Sequence, residues 1–164
     1  MRAMIEKLVA RGALCADPEP RVFVYRIARD GKRQLGTVAV VDRADLEPAP
    51  SCTDAIPAWA EPATALFDDP EGVLAALALG DTNERPIFHF NAGDGTTHSA
   101  WLVHDARRYV EAFAQLPGVA RLVEPGPSDG QGRMLALLLD RSQIIDPLPL
   151  PRCGLFVQRT LLAP

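Results

Sequence analysis

The clearest structural signal in this chain lies in residues 21–41, RVFVYRIARDGKRQLGTVAVV. Its first eight residues alternate between two sides, as side chains do along a β-strand. One side carries Val22, Val24 and Arg26. Asp30-Gly31 is typical of a tight turn, and a second strand is predicted over 34–41, of which residues 35–41 are apolar on both sides. This stretch therefore predicts an antiparallel hairpin whose second strand lies inside a sheet.

The remaining pattern mixes helices and strands. Helices are predicted over 2–11, 71–79, 105–115 and 131–139. Further strands are predicted over 86–90, 99–103 and 119–123. The four prolines of residues 47–62 exclude a regular helix or a central strand there, so this segment is interpreted as a loop or lid. Because the order lacks strict strand–helix–strand alternation, we expect an α+β fold: a mixed, largely antiparallel sheet with flanking helices.

Composition limits the classes of protein. The chain has 164 residues, a hydrophobic fraction of 48% and a net charge of −4. These values fit a single domain over residues 1–164, with an N-terminal helix within 1–12, and argue against disorder and against a general nucleic-acid surface. No apolar run reaches ~18 residues, so no membrane span is expected.

The termini and cysteines indicate the compartment. Glu6 and Lys7 interrupt what would be the apolar part of a signal peptide. Three widely spaced cysteines, without a Cys-x-x-Cys pair, are interpreted as reduced thiols. We therefore expect a cytoplasmic protein.

The best local candidate for a ligand site is residues 128–133, SDGQGR. If a helix begins here, its free N–H groups, two glycines and the Arg133 guanidinium suit a phosphate. An ordinary turn and helix cap is the commoner explanation of the same residues. A second candidate is Arg152 in the stiff segment 149–152, PLPR, for which a solvent-exposed arginine on a linker is the alternative.

Other catalytic patterns are absent from the sequence. It has no P-loop, no Gly-x-Gly-x-x-Gly and no Gly-x-Ser-x-Gly motif. His89, His98 and His104 invite a metal hypothesis, but their spacing matches no metal motif. No metal site is predicted.

Several segments occur in an order that resembles a known family. They are residues 6–14, 17–20, 22–26, 35–42, 86–88, 94–101, 129–130 and 149–152. The series resembles a large, mostly uncharacterised prokaryotic family with a ParB/sulfiredoxin-like fold. That family is related to the free serine kinases, which phosphorylate L-serine with ADP or ATP. The resemblance covers nearly all 164 residues, but only the middle of the longer family members.

The family's Ala-Asp-Gly-His-His-Arg pattern falls on residues 128–133. Ser128 stands at the alanine position. Asp129, Gly130 and Arg133 match, whereas Gln131 and Gly132 replace the two histidines. A later Pro-Tyr-Asn-Arg pattern falls on residues 149–152, where only Pro149 and Arg152 match.

The family's His-Glu pair falls near Asp54, where the glutamate is absent. The resemblance implies that Asp129 orients phosphate or Mg²⁺, that Arg133 and Arg152 bind phosphate, and that Asp54 acts as the base. Glu47 and Glu61 are alternative bases in the same loop. The implied cofactor is ADP or ATP with Mg²⁺.

Relative to the family patterns, the residues that would bind phosphate are present, and those that would transfer a proton are replaced. We therefore expect a nucleotide- or phosphate-metabolite-binding protein with eroded catalytic motifs, serving as a binding module or subunit. The alternative is an active nucleotide-dependent phosphotransferase acting on serine or a similar hydroxyl compound. A ParB-like DNA partner is disfavoured by the acidic charge. The shortened length suggests apolar surface for a homodimer or a partner protein.

Overall fold

A computed structural model describes residues 7, 10–12, 21–48, 62–124, 126, 128 and 131–143. The strands within these residues are β1 (Phe23–Arg29), β2 (Lys32–Asp42), β3 (Leu46–Pro48), β4 (Ala63–Phe67), β5 (Phe88–Asn91), β6 (Thr97–Leu102), β7 (Ala120–Glu124) and β8 (Arg133–Asp140). The helices are α1 (Val73–Asp81) and α2 (Ala106–Ala114), and short 3₁₀ turns cover Arg43–Asp45 and Arg141–Gln143.

The described strands form one sheet in the order β3-β7-β4-β8-β2-β1-β6-β5. The β3–β7 and β4–β8 pairs are parallel, and the other neighbours are antiparallel. The predicted α+β class with a mixed, largely antiparallel sheet is therefore confirmed. Neither described helix has the length and the apolar run that crossing a bilayer requires.

The predicted hairpin is confirmed. β1 and β2 pair antiparallel, with Phe23 opposite Val38. Asp30 and Gly31 form the turn in the left-handed region, with φ of 51° and 76°. β2 lies between β8 and β1, so the expectation of an interior strand is also correct.

The sheet has two unlike faces. Both described helices pack on one of them, which we call the helix face. There Leu74 of α1 and Tyr109 of α2 join a large cluster that includes Val24, Trp101 and Leu138. A smaller cluster covers the other face and contains no residue of α1 or α2 among its described members.

The prediction of a helix over residues 131–139 is wrong, because this segment forms β8. Its sequence MLALLLD contains strong helix formers, which favour a helix when only local preference is considered. The strand lies between β2 and β4, and Ala136 through Asp140 are all buried. A strand buried on both faces is a continuous apolar run, which periodicity alone does not distinguish from a buried helix.

The other predicted elements within the described residues occur close to their expected positions. α1, α2, β5, β6 and β7 correspond to predicted helices and strands. β4 was not predicted, and β3 begins one residue before the expected 47–62 loop and extends into it. Pro48 fits β3 because that strand lies at the edge of the sheet. Residues 49–61 and 144–164 lie outside the described residues.

The N-terminal prediction is tested only at residues 7 and 10–12. The Arg11 N–H donates to the Lys7 carbonyl at 3.1 Å, which is a helical contact, and Gly12 follows with φ of 70°. The remaining residues of 1–12 are not described.

The Asp69 side chain caps the N-terminus of α1. Its Oδ1 accepts a hydrogen bond from Val73 N at 3.0 Å, and its Oδ2 accepts from Leu74 N at 2.8 Å and Ala75 N at 3.1 Å. One buried carboxylate therefore satisfies three of the free N–H groups at a helix start.

Replacing this carboxylate tests its contribution to stability. Asp69→Ala should lower the free energy of unfolding by about 2 kcal/mol, because three helix N–H groups lose their acceptor. Urea denaturation measures the change. The neighbouring exposed Asp68→Ala, which removes only an ion pair with Arg141, should cost less than about 1 kcal/mol. Equal losses in the two variants would contradict the capping role.

Gln34 is a buried side chain of the described sheet whose polar atoms lack hydrogen-bond partners. It is 1% exposed, and neither Oε1 nor Nε2 has a hydrogen-bond partner. It lies opposite Ile27 in register, on the face away from the helices. A buried amide without partners costs free energy.

We expect Gln34→Met, which keeps the length and removes the amide, to raise the free energy of unfolding by about 1 kcal/mol or more. Chemical denaturation provides the measurement, with the exposed Gln115→Met as the matched control. Destabilisation by Gln34→Met would show that the amide has a partner in solution.

Candidate functional site

Three of the predicted ligand residues lie where β8 begins beside the end of β2. They are Gln131, Gly132 and Arg133. Arg133 is opposite Asp42 in register, and the Arg43 N–H donates to the Gly132 carbonyl at 3.0 Å. The structure thus brings five residues together at the surface, and we call this group the corner: Asp42, Arg43, Gln131, Gly132 and Arg133.

The corner is a turn and not a helix start. Gly132 has φ of 83°, a conformation that favours glycine, and Ser128 forms an isolated antiparallel bridge with Met134. The predicted capture of an anion by a helix N-terminus is therefore wrong for Arg133, which begins a strand. The corner still holds the side chains of Arg43 and Arg133 next to Gly132, which has no Cβ.

The other predicted site residues lie outside the described residues. These are Asp54, Asp129, Gly130 and Arg152. Their roles remain predictions from the sequence.

A second site, on the helix face, is built around Arg26 of β1. The Arg26 Cζ atom lies 4.8 Å from the centroid of the Trp101 ring, so the guanidinium is held by a cation–π contact. Trp101 is itself fixed, because it is buried and its Nε1 donates to the Glu84 carbonyl at 2.8 Å. The arginine is therefore oriented by rigid neighbours.

Arg26 also touches a hydroxyl–imidazole pair on the next two strands. Its Nη2 reaches Ser99 Oγ at 3.5 Å, and Ser99 Oγ lies 2.8 Å from His89 Nδ1. Ser99 is opposite Arg26 on β6, and His89 is opposite Ser99 on β5. We call Arg26, His89, Ser99 and Trp101 the arginine site.

No described carboxylate compensates the Arg26 charge. A guanidinium has five N–H donors, and among the described residues Arg26 makes one hydrogen bond, the long contact to Ser99. Its Nε is buried without a hydrogen-bond partner, and no described carboxylate pairs with it. Glu84, whose backbone carbonyl accepts from Trp101, pairs its carboxylate with His104 at 3.3 Å. A partly buried cation with unused donors favours an anionic ligand.

The corner and the arginine site are separate. Arg26 faces Leu35 of β2, whereas the corner adjoins Asp42, seven residues further along that strand. At ~3.3 Å per residue this separation is about 23 Å. Leu35 and Asp42 are seven residues apart on β2, and side chains an odd number of residues apart point to opposite faces. Arg26, which shares the face of Leu35, therefore lies on the face opposite Asp42. No single small ligand spans both sites.

Sequence reasoning missed the arginine site, although one signal was present. Arg26 shares its side of the strand with Val22 and Val24, so the pattern places a cation on an apolar face. An inward-facing charge is uncommon unless it has a partner. The contacts with Ser99 and His89 depend on strand register, which the sequence did not supply.

The histidines do not converge. His98 Nδ1 contacts the Tyr25 hydroxyl at 2.5 Å and its ring stacks on Phe90, whereas His104 pairs with Glu84. Within the described residues no three His, Cys, Asp or Glu side chains are arranged to hold a metal ion.

His98 should make stability depend on pH. Burial lowers the pKa of His98 below its ordinary value of 6.5, and the Asp94 charge only partly offsets this effect. The unfolded chain therefore binds more protons than the folded one just below pH 6.5, so this contribution to stability is complete above that pH and is lost as the pH falls.

We expect the melting temperature to fall between pH 7.5 and 5.5, and His98→Gln to make that decline shallower. The exposed His104→Gln is the matched control. Calorimetric scans across this range provide the test, and an unchanged slope for His98→Gln would contradict the assignment.

Comparisons with protein-family models, with curated proteins and with solved structures found no significant match to this chain. The two sites therefore stand on their geometry alone.

Proposed function

We propose that this chain binds a phosphorylated small molecule, such as a nucleotide or a phosphorylated metabolite, and serves as a binding module or subunit. The observation that supports this most strongly is the Arg26 guanidinium. It is partly buried, held against Trp101 and Ser99, and has no described carboxylate partner. A fixed guanidinium with free donors suits the bidentate recognition of a phosphate.

The groups around Arg26 also favour the binding of an anion. His89, at the exposed end of the arginine site, supplies a further polar nitrogen near the same anion. The chain as a whole has a net charge of −4, so attraction of an anion to this place is local and not a general property of the surface.

Binding is favoured over catalysis. Phosphoryl transfer needs a group that accepts the proton of the attacking hydroxyl, and no described carboxylate pairs with Arg26. Ser99 is fully buried, so its hydroxyl does not reach a ligand in solution.

An active phosphotransferase is the second candidate, and one observation favours it. Asp42, a carboxylate that the sequence did not single out, lies at the corner opposite Arg133. Its Oδ1 accepts a hydrogen bond from Ala44 N at 2.9 Å, which fixes its orientation. Under this alternative, Asp54 and Asp129 would complete a site for ADP or ATP with Mg²⁺.

The wider proposal is that the chain is cytoplasmic and is a relative of the ParB/sulfiredoxin-like family that is related to the free serine kinases. The α+β class of the sheet is consistent with that relationship. A homodimer or a partner protein remains part of this proposal.

Substitution of the arginine tests the proposed function. Arg26→Met should weaken the binding of inorganic phosphate and ADP by at least about tenfold, since a hydrogen bond to a charged group contributes about 1.5–3 kcal/mol. Isothermal titration calorimetry measures the affinity. A ligand at about 100 times its Kd should also stabilise the unsubstituted protein by ~2.7 kcal/mol.

Two controls separate the alternatives. Arg29→Met changes an arginine on the same strand that pairs with Asp30, and it should leave binding unchanged. Arg133→Met tests the corner. If Arg133→Met abolishes binding and Arg26→Met does not, the ligand lies at the corner and the arginine site is wrong.

A further inference from the structure

A cleft of about 390 Å³ lies between α1 and the helix face of the sheet. Its apolar lining comes mainly from Leu35, Phe67, Leu74, Leu79 and Leu138. Ligand sites of small molecules commonly have volumes of ~300–1,000 Å³ and mostly apolar walls. The cleft therefore has the size and lining of a small-molecule site.

The cleft adjoins the arginine site. Leu35, which lines it, is directly opposite Arg26 in register. Arg33, two residues away on the same side of β2, also lines the cleft and is exposed. Arg33 has no ion-pair partner among the described residues. Arg33 thus lies in the wall of the cleft, and Arg26 lies on the neighbouring strand opposite a wall residue.

A buried carboxylate in the wall of the cleft limits what enters it. Asp140 is buried, and its carboxylate accepts hydrogen bonds from Ser142 N, at 3.1 Å, and from Ser142 Oγ. Continuing the register that pairs Thr37 with Leu138 brings Asp140 opposite Leu35, two strand spacings or ~10 Å from Arg26. A carboxylate there repels an anionic group from the interior, so the anion stays at the arginine end.

We infer that the ligand is a phosphomonoester with an aromatic or branched apolar body. Its phosphate binds Arg26 and Arg33, and its body lies in the cleft beneath α1. This inference rests on the proposed function, because it uses the same arginine site.

The volume supports a body of one ring system. An apolar cavity of ~150 Å³ is enough to hold benzene, so 390 Å³ accommodates an aryl group with its linker. A polar body such as glycerol would gain little from the apolar walls. The cleft therefore distinguishes phosphate esters by the apolar area of their organic part.

The test compares three probes by isothermal titration calorimetry with the full chain. They are inorganic phosphate, glycerol 3-phosphate and phenyl phosphate. Phenyl phosphate should bind at least about tenfold more tightly than inorganic phosphate, because burial of its ring adds to the phosphate contact. Glycerol 3-phosphate should resemble inorganic phosphate.

Substitutions in α1 locate the ring. Ala75→Leu fills the cleft and should remove the advantage of phenyl phosphate while the affinity for inorganic phosphate stays unchanged. Ala114→Leu, on an exposed position of α2, is the matched control. Leu79→Ser, which changes a wall residue that is 57% exposed, should reduce the same advantage without affecting the core.

The outcomes separate the two proposals. Equal affinities for phenyl phosphate and inorganic phosphate overturn this inference and leave the proposed function standing. An advantage that survives both Ala75→Leu and Leu79→Ser places the ring elsewhere and also overturns it. Failure of every probe to bind overturns both proposals.

Discussion

The pairing of β2 with β8 joins the two halves of the described sheet. One half has the order β3-β7-β4-β8 and the other β2-β1-β6-β5, and β2 and β8 are the only neighbours across the boundary. Gly36 makes their close packing possible. A Cβ at this position would lie 2.5 Å from Leu139 Cδ2 and 2.8 Å from Leu137 Cδ1, so the leucine side chains occupy the space that a larger residue would take.

The cleft and the arginine site, the two proposed parts of the ligand site, both depend on the pairing of β2 with β8. α1 lies against β2, β4 and β8, and the cleft is the space left between the helix and those strands. On the other side of β2, strand pairing brings Arg26 of β1 beside Ser99 of β6. The apolar cleft and the cationic group are adjacent because one central strand, β2, borders both.

Predictions from the sequence were right where local signals were strong. The alternation of residues 21–28 and the Asp30-Gly31 turn produced the correct hairpin. They were wrong at β8, where an apolar run of helix formers lies buried inside the sheet. The expectation of a helix start at residues 128–133 failed with it, because the segment after Gly132 is a strand.

The sequence by itself determined the α+β class, the hairpin, both described helices and the interior position of β2, because each follows from side-chain periodicity or turn residues close together in the chain. Only the tertiary structure decided where the charges meet. Arg26, Ser99 and His89 lie on three strands and are brought together by register, with Arg26 and Ser99 73 residues apart. Register depends on how the faces of distant strands are buried together, and no local pattern in the sequence contains that information.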